Sequence, residues 1–169
     1  MQIRLLENGL RIEVYQPGSD ISNLIITQMV QNSLQKHIVA TTPRDSSERF
    51  SSEEAFYRWF TEGKLLLALI NTYNSELAGL AWFSRARDER AEGASYTYAH
   101  RLYNGYIGKG LSVPFAIEAH DIARQYIGTG PFWLSVLNSN AAAIRTYEQI
   151  GYSVIAEDSA RSIMVRAEG

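Results

Sequence analysis

The sequence predicts a single α/β domain built on a mixed sheet. Three observations carry that expectation. Apolar runs of strand length alternate with longer stretches of helical period. Of the 169 residues, 46% are hydrophobic, enough for one sizeable core. No Pro-, Gly- or Ser-rich linker, internal repeat or block of like charge divides the chain, so the expected domain spans 1–169, with polar segments 41–52 and 84–93 as loops within it.

Taken in order, residues 3–6 and 10–15 are short alternating runs around Glu7-Asn8-Gly9, a hairpin signature. Leu24, Ile25, Gln28, Met29 and Asn32 keep a helical beat, with Asp20 or Ser22 available as the cap. In SSEEAFYRWF, Ser51 or Ser52 caps a second helix, Glu53 and Glu54 complement its start, and Phe56, Trp59 and Phe60 share a core-facing side. KLLLALI and LAGLAWFS read as two strands joined by the turn-prone segment 71–76. ASYTYAHRLY is a third, with Tyr96, Tyr98, His100 and Leu102 on one face and Thr97, Ala99 and Arg101 on the other. Residues 111–126 place Phe115, Ala119, Ile122, Ala123 and Tyr126 at helical intervals, and the glycines at 128 and 130 end that helix. PFWLSVL is a buried strand, NAAAIRTYEQI a helix, and YSVIAED with RSIMVRA a closing pair of strands.

Composition excludes several functions. A net charge of -2 leaves no basic footprint for nucleic acid. With no cysteine there is no disulfide, no thiolate zinc site and no cysteine nucleophile. The histidines His37, His100 and His120 form no pair at metal-ligand spacing, so no metal is expected. Arg4 and Glu7 interrupt the first apolar residues, and no run approaches the ~20 residues of a membrane span. These features predict a cytoplasmic protein without a membrane partner.

The stretch YIGKGLS, residues 106–112, matches neither of two well-known phosphate loops. Gly105 and Gly110 have P-loop spacing, but Leu111 stands where the lysine is required. A dinucleotide fingerprint on Gly108 and Gly110 needs a third glycine where Val113 stands. A strand, a glycine turn and a helix nevertheless set backbone N–H groups toward an anion at the helix start. Pro114 is tolerated only in the first turn, which predicts a helix beginning near Ser112.

YIGKGLS with its helix, followed by LSVLNSNAAAIRTYEQIGY, resembles the two cofactor motifs of the GCN5-related N-acetyltransferase (GNAT) family. In the second motif Val136, Asn140, Ala143, Tyr147, Gly151 and Tyr152 all match. In the first, Gly108 and Gly110 match, while Ile107 and Ser112 depart from the polar and the Gly or Ala positions of the pattern. The resemblance is sharp over 96–152 and implies a mostly antiparallel sheet flanked by helices, with strands splayed at a cofactor slot. It implies acetyl-CoA as cosubstrate, with Ile107, Gly108, Lys109, Gly110, Leu111 and Ser112 around the pyrophosphate and the main chain of Leu102 on the pantetheine arm. Asn140 would touch that arm or cap its helix, and Tyr147 would protonate the departing sulfur or pack its ring. The acceptor would be a small-molecule or peptide amine held by residues 32–59, where Asp45, Glu48, Glu53 and Glu54 could receive a cation. A homodimer is compatible with the family.

The family's usual strand glutamate is missing from the face carrying Tyr96, Tyr98 and His100. His100 is the side chain there whose ordinary titration suits a general base, with Tyr96 or a water chain as rivals. Arg101 and Lys109 are read either as phosphate contacts or as solvated cations, and His120 as carrying no chemistry. A non-catalytic acyl-CoA-binding module is the alternative from another class, and a nucleotide-binding protein using the same loop is a third.

Overall fold

The computed structural model describes residues 2–167. Its eight strands are β1 (Gln2–Leu5), β2 (Leu10–Tyr15), β3 (Lys64–Asn71), β4 (Leu77–Arg85), β5 (Tyr96–Leu102), β6 (Phe132–Leu137), β7 (Ser153–Glu157) and β8 (Arg161–Arg166). They neighbour one another in the order β1-β2-β3-β4-β5-β6-β8-β7. The pairs β1–β2, β2–β3, β6–β8 and β7–β8 are antiparallel, and β5–β6 is parallel. The helices are α1 (Asn23–Ser33), α2 (Lys36–Thr41), α3 (Glu53–Thr61), α4 (Ser112–Ile127) and α5 (Ala141–Gln149). This is the mixed, mostly antiparallel sheet with helices that the sequence predicts.

The chain forms two compact units. One comprises residues up to Trp82 with His100–Lys109; the other comprises Phe83–Ala99 with the residues from Gly110 onward. In the first, Asn8 and Gly9 take left-handed backbone (φ 66° and 69°) and so close the β1–β2 hairpin. The Ser22 hydroxyl accepts from the Ile25 amide at the start of α1, and the Ser52 hydroxyl accepts from the Ala55 amide at the start of α3. Phe56, Trp59 and Phe60 face the core as expected, and Phe50, Trp59 and Trp82 meet edge-to-face at 5.1–6.1 Å.

The segment 41–52, expected to be a loop, departs from that expectation. It is entered by α2 and holds a single π turn over Asp45–Arg49. The turn is fixed by an ion pair at i, i+4 spacing between Arg49 and the buried Asp45.

In the second unit, α4 buries Phe115, Ala116, Ala119, His120, Ile122 and Ala123. Phe83, Tyr98, Phe132 and His120 form a ring cluster with centroids 4.3–5.3 Å apart. The closing strands pair with each other, with an irregularity between Val154 and Ala156, and β8 lies beside β6.

Candidate active site

After β5 the chain enters the glycine loop. Gly108 and Gly110 have φ of 73° and 72°, a conformation that side-chain-bearing residues rarely adopt, and a Cβ at either would meet nothing within 4 Å. The glycines therefore supply backbone shape over open ground. The loop runs into α4, which begins at Ser112 as predicted, with Pro114 inside its first turn. Its cap residue, Leu111, provides no side-chain hydrogen bond, so the helix start has no acceptor from its own cap.

The Ile107 side chain is 48% exposed and brings no polar atom. Tyr106 ties the loop to the turn after β3: its hydroxyl accepts from Asn71 Nδ2 at 3.0 Å and donates to Glu76 Oε2 at 2.8 Å. The Lys109 ammonium lies 5.6 Å from the centre of the Tyr106 ring.

The end of β5 is gripped from several sides. The Tyr103 amide donates to the Ala78 carbonyl of β4 at 3.0 Å. By the alternation of an antiparallel ladder, the N–H and C=O of Leu102 turn to the opposite edge. There the Leu102 carbonyl accepts from His37 Nε2 of α2 at 3.0 Å. The next amide but one, Asn104, donates to Gln35 Oε1 at 2.8 Å. The start of β5 pairs in parallel with β6, Tyr96 beside Phe132 and Thr97 beside Trp133.

Asp45 is 1% exposed and holds two guanidinium groups, Arg101 Nε at 2.8 Å and Arg49 Nη1 at 2.7 Å. Both groups lie over the Trp82 ring, at 4.8 and 5.6 Å. Burial alone would raise the Asp45 pKa, but the Arg101 charge and the hydrogen bonds from both arginines outweigh it and hold the carboxyl below its ordinary range. Asp45 is therefore committed to two arginines and is not open to a cationic acceptor. Arg101 is committed to Asp45 and to the His100 carbonyl, at 2.8 Å each, rather than to phosphate or bulk solvent. Glu48 pairs with Arg44, while Glu53 and Glu54 stand in the first turn of α3.

His100 does not sit in the environment expected of a base that titrates near neutrality. Burial first, and then the neighbouring Arg101 charge, push its pKa down to about 3. It is a neutral imidazole at neutral pH.

In the second unit, the Asn140 Oδ1 accepts from the Ala143 amide at 3.2 Å, so its side chain caps α5. Tyr147, 6% exposed, sets its ring 6.2 Å from Tyr98 and 5.9 Å from Tyr152. His120 is wholly buried. Its Nδ1 is 2.7 Å from the Ala116 carbonyl, which can only accept; the proton is on Nδ1, and Nε2 accepts from the Tyr152 hydroxyl at 2.8 Å. Burial, followed by the adjacent Tyr147, raises the Tyr152 pKa well above that of an ordinary phenol. Sequence reasoning gave His120 no partner. The only signal for this pair was a polar residue on the apolar stripe of α4.

Among the described residues no three or more His, Asp or Glu side chains gather as a metal site. Among the described residues no helix is long and apolar enough to cross a membrane.

No protein-family model matches the chain. A streptothricin acetyltransferase from Streptomyces lavendulae is 38% identical over 65 residues, which are 38% of this chain and 34% of that protein. The chain thus matches about a third of that relative's length. Solved structures match nearly throughout. A ribosomal-protein-S5-alanine acetyltransferase from Vibrio fischeri has a TM-score of 0.76 at 10% identity, covering 99% of this chain and 97% of that one. The acetyltransferase AAC(6')-Ib, in complex with ribostamycin and coenzyme A, has a TM-score of 0.68 at 16% identity, covering 92% and 93%. A protein from Bordetella pertussis ascribed to the GNAT family has a TM-score of 0.65 at 19% identity, covering 99% and 100%. The chain has the fold of the GCN5-related N-acetyltransferases.

Proposed function

We propose that the protein is an acetyl-CoA-dependent N-acetyltransferase that moves the acetyl group directly to a primary amine. The observation that carries this reading is the open glycine turn at Gly108 and Gly110, leading into an α4 start that has no side-chain cap. A pyrophosphate fits such a place, because small residues let it approach the main chain and the helix dipole favours the anion. Gly108, Lys109, Gly110, Leu111 and Ser112 would hold it through backbone N–H groups, and Ile107 through backbone alone.

Leu102 offers its N–H to the pantetheine arm or the acetyl oxygen, since its carbonyl is already engaged by His37. Asn140 spends Oδ1 on the helix cap, so any contact it makes to the arm falls to Nδ2. Tyr147 is the proposed acid. A phenol is ordinarily protonated at neutral pH and can give its proton to the sulfur as the C–S bond breaks. With no cysteine in the chain, the acetyl group cannot pass through a cysteine thioester. The acceptor is a small-molecule or peptide amine, and the protein is read as a cytoplasmic monomer or homodimer.

The test is Tyr147→Phe, which removes one oxygen and keeps the ring. Turnover should fall about 10²-fold, the usual scale for a positioned acid. Coenzyme A affinity and melting temperature should stay where they are. Calorimetric titration with acetyl-CoA and with ATP checks the ligand itself, and preference for ATP would overturn the assignment. A non-catalytic acyl-CoA-binding module is the second reading, favoured by the apolar Ile107 and by the depressed pKa of His100. It expects tight coenzyme A binding and no change of any kind in Tyr147→Phe.

A further inference from the structure

The structure assigns His37 as the general base for the acceptor amine, an inference that rests on the acetyl-transfer reading above. The anchoring hydrogen bond fixes its chemistry. The Leu102 carbonyl can only accept, so His37 Nε2 carries the proton and the basic lone pair is left on Nδ1. The ring is half-buried, neither sealed in the core nor fully in water.

The imidazole is attached to Leu102, whose peptide groups face away from β4, on the edge where the thioester is proposed to lie. Gln35, two residues earlier, grips the Asn104 amide, so the start of α2 is held to this end of β5 at two points. A base so anchored keeps its place through a catalytic cycle. His100, by contrast, is held to a pKa of about 3.

The proposed step balances as follows. The amine nitrogen bonds to the thioester carbon, its proton passes to His37 Nδ1, the C–S bond breaks with its electron pair on sulfur, and sulfur takes the proton of the proposed acid Tyr147, which solvent then replaces, to leave as the thiol. The imidazolium then returns its proton to solvent. The charges on the elements packed against α2 are mostly paired. α1 has no titratable side chain. The π turn brings Asp45, Glu48 and Arg49, of which Asp45 is paired with Arg49 and Arg101, and Glu48 with Arg44. β5 contributes His100 and Arg101, and α2 itself contributes Lys36.

The experiment uses the whole chain and two variants. His37→Gln keeps an N–H donor for the Leu102 carbonyl and removes the basic nitrogen, whereas His37→Ala leaves room for free imidazole. Coenzyme A release from acetyl-CoA is followed with spermidine, kanamycin, an alanine-terminated peptide and water as acceptors, across pH 5–9. His37→Gln should lose about 10²-fold in turnover with the fastest of these. It should also lose the acidic limb of the wild-type pH profile, and added imidazole should restore His37→Ala. Coenzyme A affinity, measured by calorimetry, should match wild type in His37→Gln, which keeps the tether to Leu102.

His37→Gln turning over within threefold of wild type, with the same pH profile, would reduce His37 to a tether and overturn this inference alone. A wild-type chain that binds no acetyl-CoA would overturn the acetyl-transfer reading and this inference with it. Binding without release to any of the four acceptors would do the same, in favour of the non-catalytic module.

Discussion

Gly79 of β4 provides the sharpest mechanical test. Its φ is not in the left-handed region, so alanine there would meet no backbone strain, and the unfolded chain would lose entropy worth ~0.4–1 kcal/mol in favour of folding. What opposes the change is space. A Cβ would lie 2.5 Å from the Arg101 carbonyl oxygen and 2.9 Å from Leu102 Cδ2. The Leu102 methyl can rotate away, but the carbonyl is backbone. Ordinary contact begins at 3.4 Å, so 3.4 − 2.5 leaves a gap of about 0.9 Å to be opened. The far side of that stretch cannot yield freely, because Arg101 is bound to Asp45 and the Leu102 carbonyl to His37. Overpacking of this kind costs ~1–3 kcal/mol, which outweighs the entropy gain. At ~2–4 °C per kcal/mol for a chain of this size, Gly79→Ala should melt several degrees lower. The displaced peptide is also the proposed thioester platform, and a misplacement near 1 Å costs ~10²-fold in rate. Calorimetric melting and coenzyme A release measure the two effects separately. An alanine variant as stable as wild type would show that β5 can move away from β4 without penalty, and would refute the argument that its end is clamped.

Two further changes probe the charged groups around β5. Asp45→Asn should destabilise by ~3–5 kcal/mol, because it leaves two largely buried guanidinium groups without their counter-charge; chemical denaturation measures this, and a loss under 1 kcal/mol would show the pair to be ornamental. The Asp45 carboxyl has a lowered folded pKa, so the stability it contributes is complete above the unfolded value of ~3.9 and is lost as pH falls through the folded one. His100 titrates at about 3 when folded against ~6.5 when unfolded, so between these values only the unfolded state takes up its proton. Stability should then climb by up to ~1.4 kcal/mol per pH unit from about 3 to 6.5 and gain nothing further from this group above that range. His100→Gln should flatten the climb in a series of urea melts, and an unchanged slope would contradict the depressed pKa of His100.

Much of the fold was legible because it is local. Ser22 and Ser52 cap the helices they precede, Asn8-Gly9 closes the first hairpin, and α4 starts where Pro114 requires. What escaped is long-range. α2 is six residues with three β-branched positions, one fully buried side chain and no side-chain cap, so neither propensity nor period announces it. Its anchors are the Leu102 carbonyl and the Asn104 amide, 65 and 69 residues away from the side chains that hold them. Asp45 looked like an acid waiting for a cation because Arg101, 56 residues later, gives no local sign of pairing with it. His120 and Tyr152, 32 residues apart, are silent for the same reason.

These hidden contacts in the first unit converge on one short piece of chain, and there is a physical reason for that. A strand whose peptide groups turn away from its neighbour must satisfy them or stand in water. At the end of β5 the His100 carbonyl takes the Arg101 guanidinium, the Leu102 carbonyl takes His37, and the Asn104 amide takes Gln35. Side-chain donors on both carbonyls leave an edge that presents N–H to anything arriving, which suits a ligand carrying carbonyl oxygens better than another strand. A strand partner would need those carbonyls as acceptors for its own N–H groups. Occupying them with side chains from α2 and from Arg101 therefore protects the edge against pairing with a second chain, while keeping Leu102 competent to hold an amide or a thioester. Replacing His37 by a residue without an N–H donor removes both effects together. It is the reason His37→Gln, which keeps the donor, separates the base from the tether.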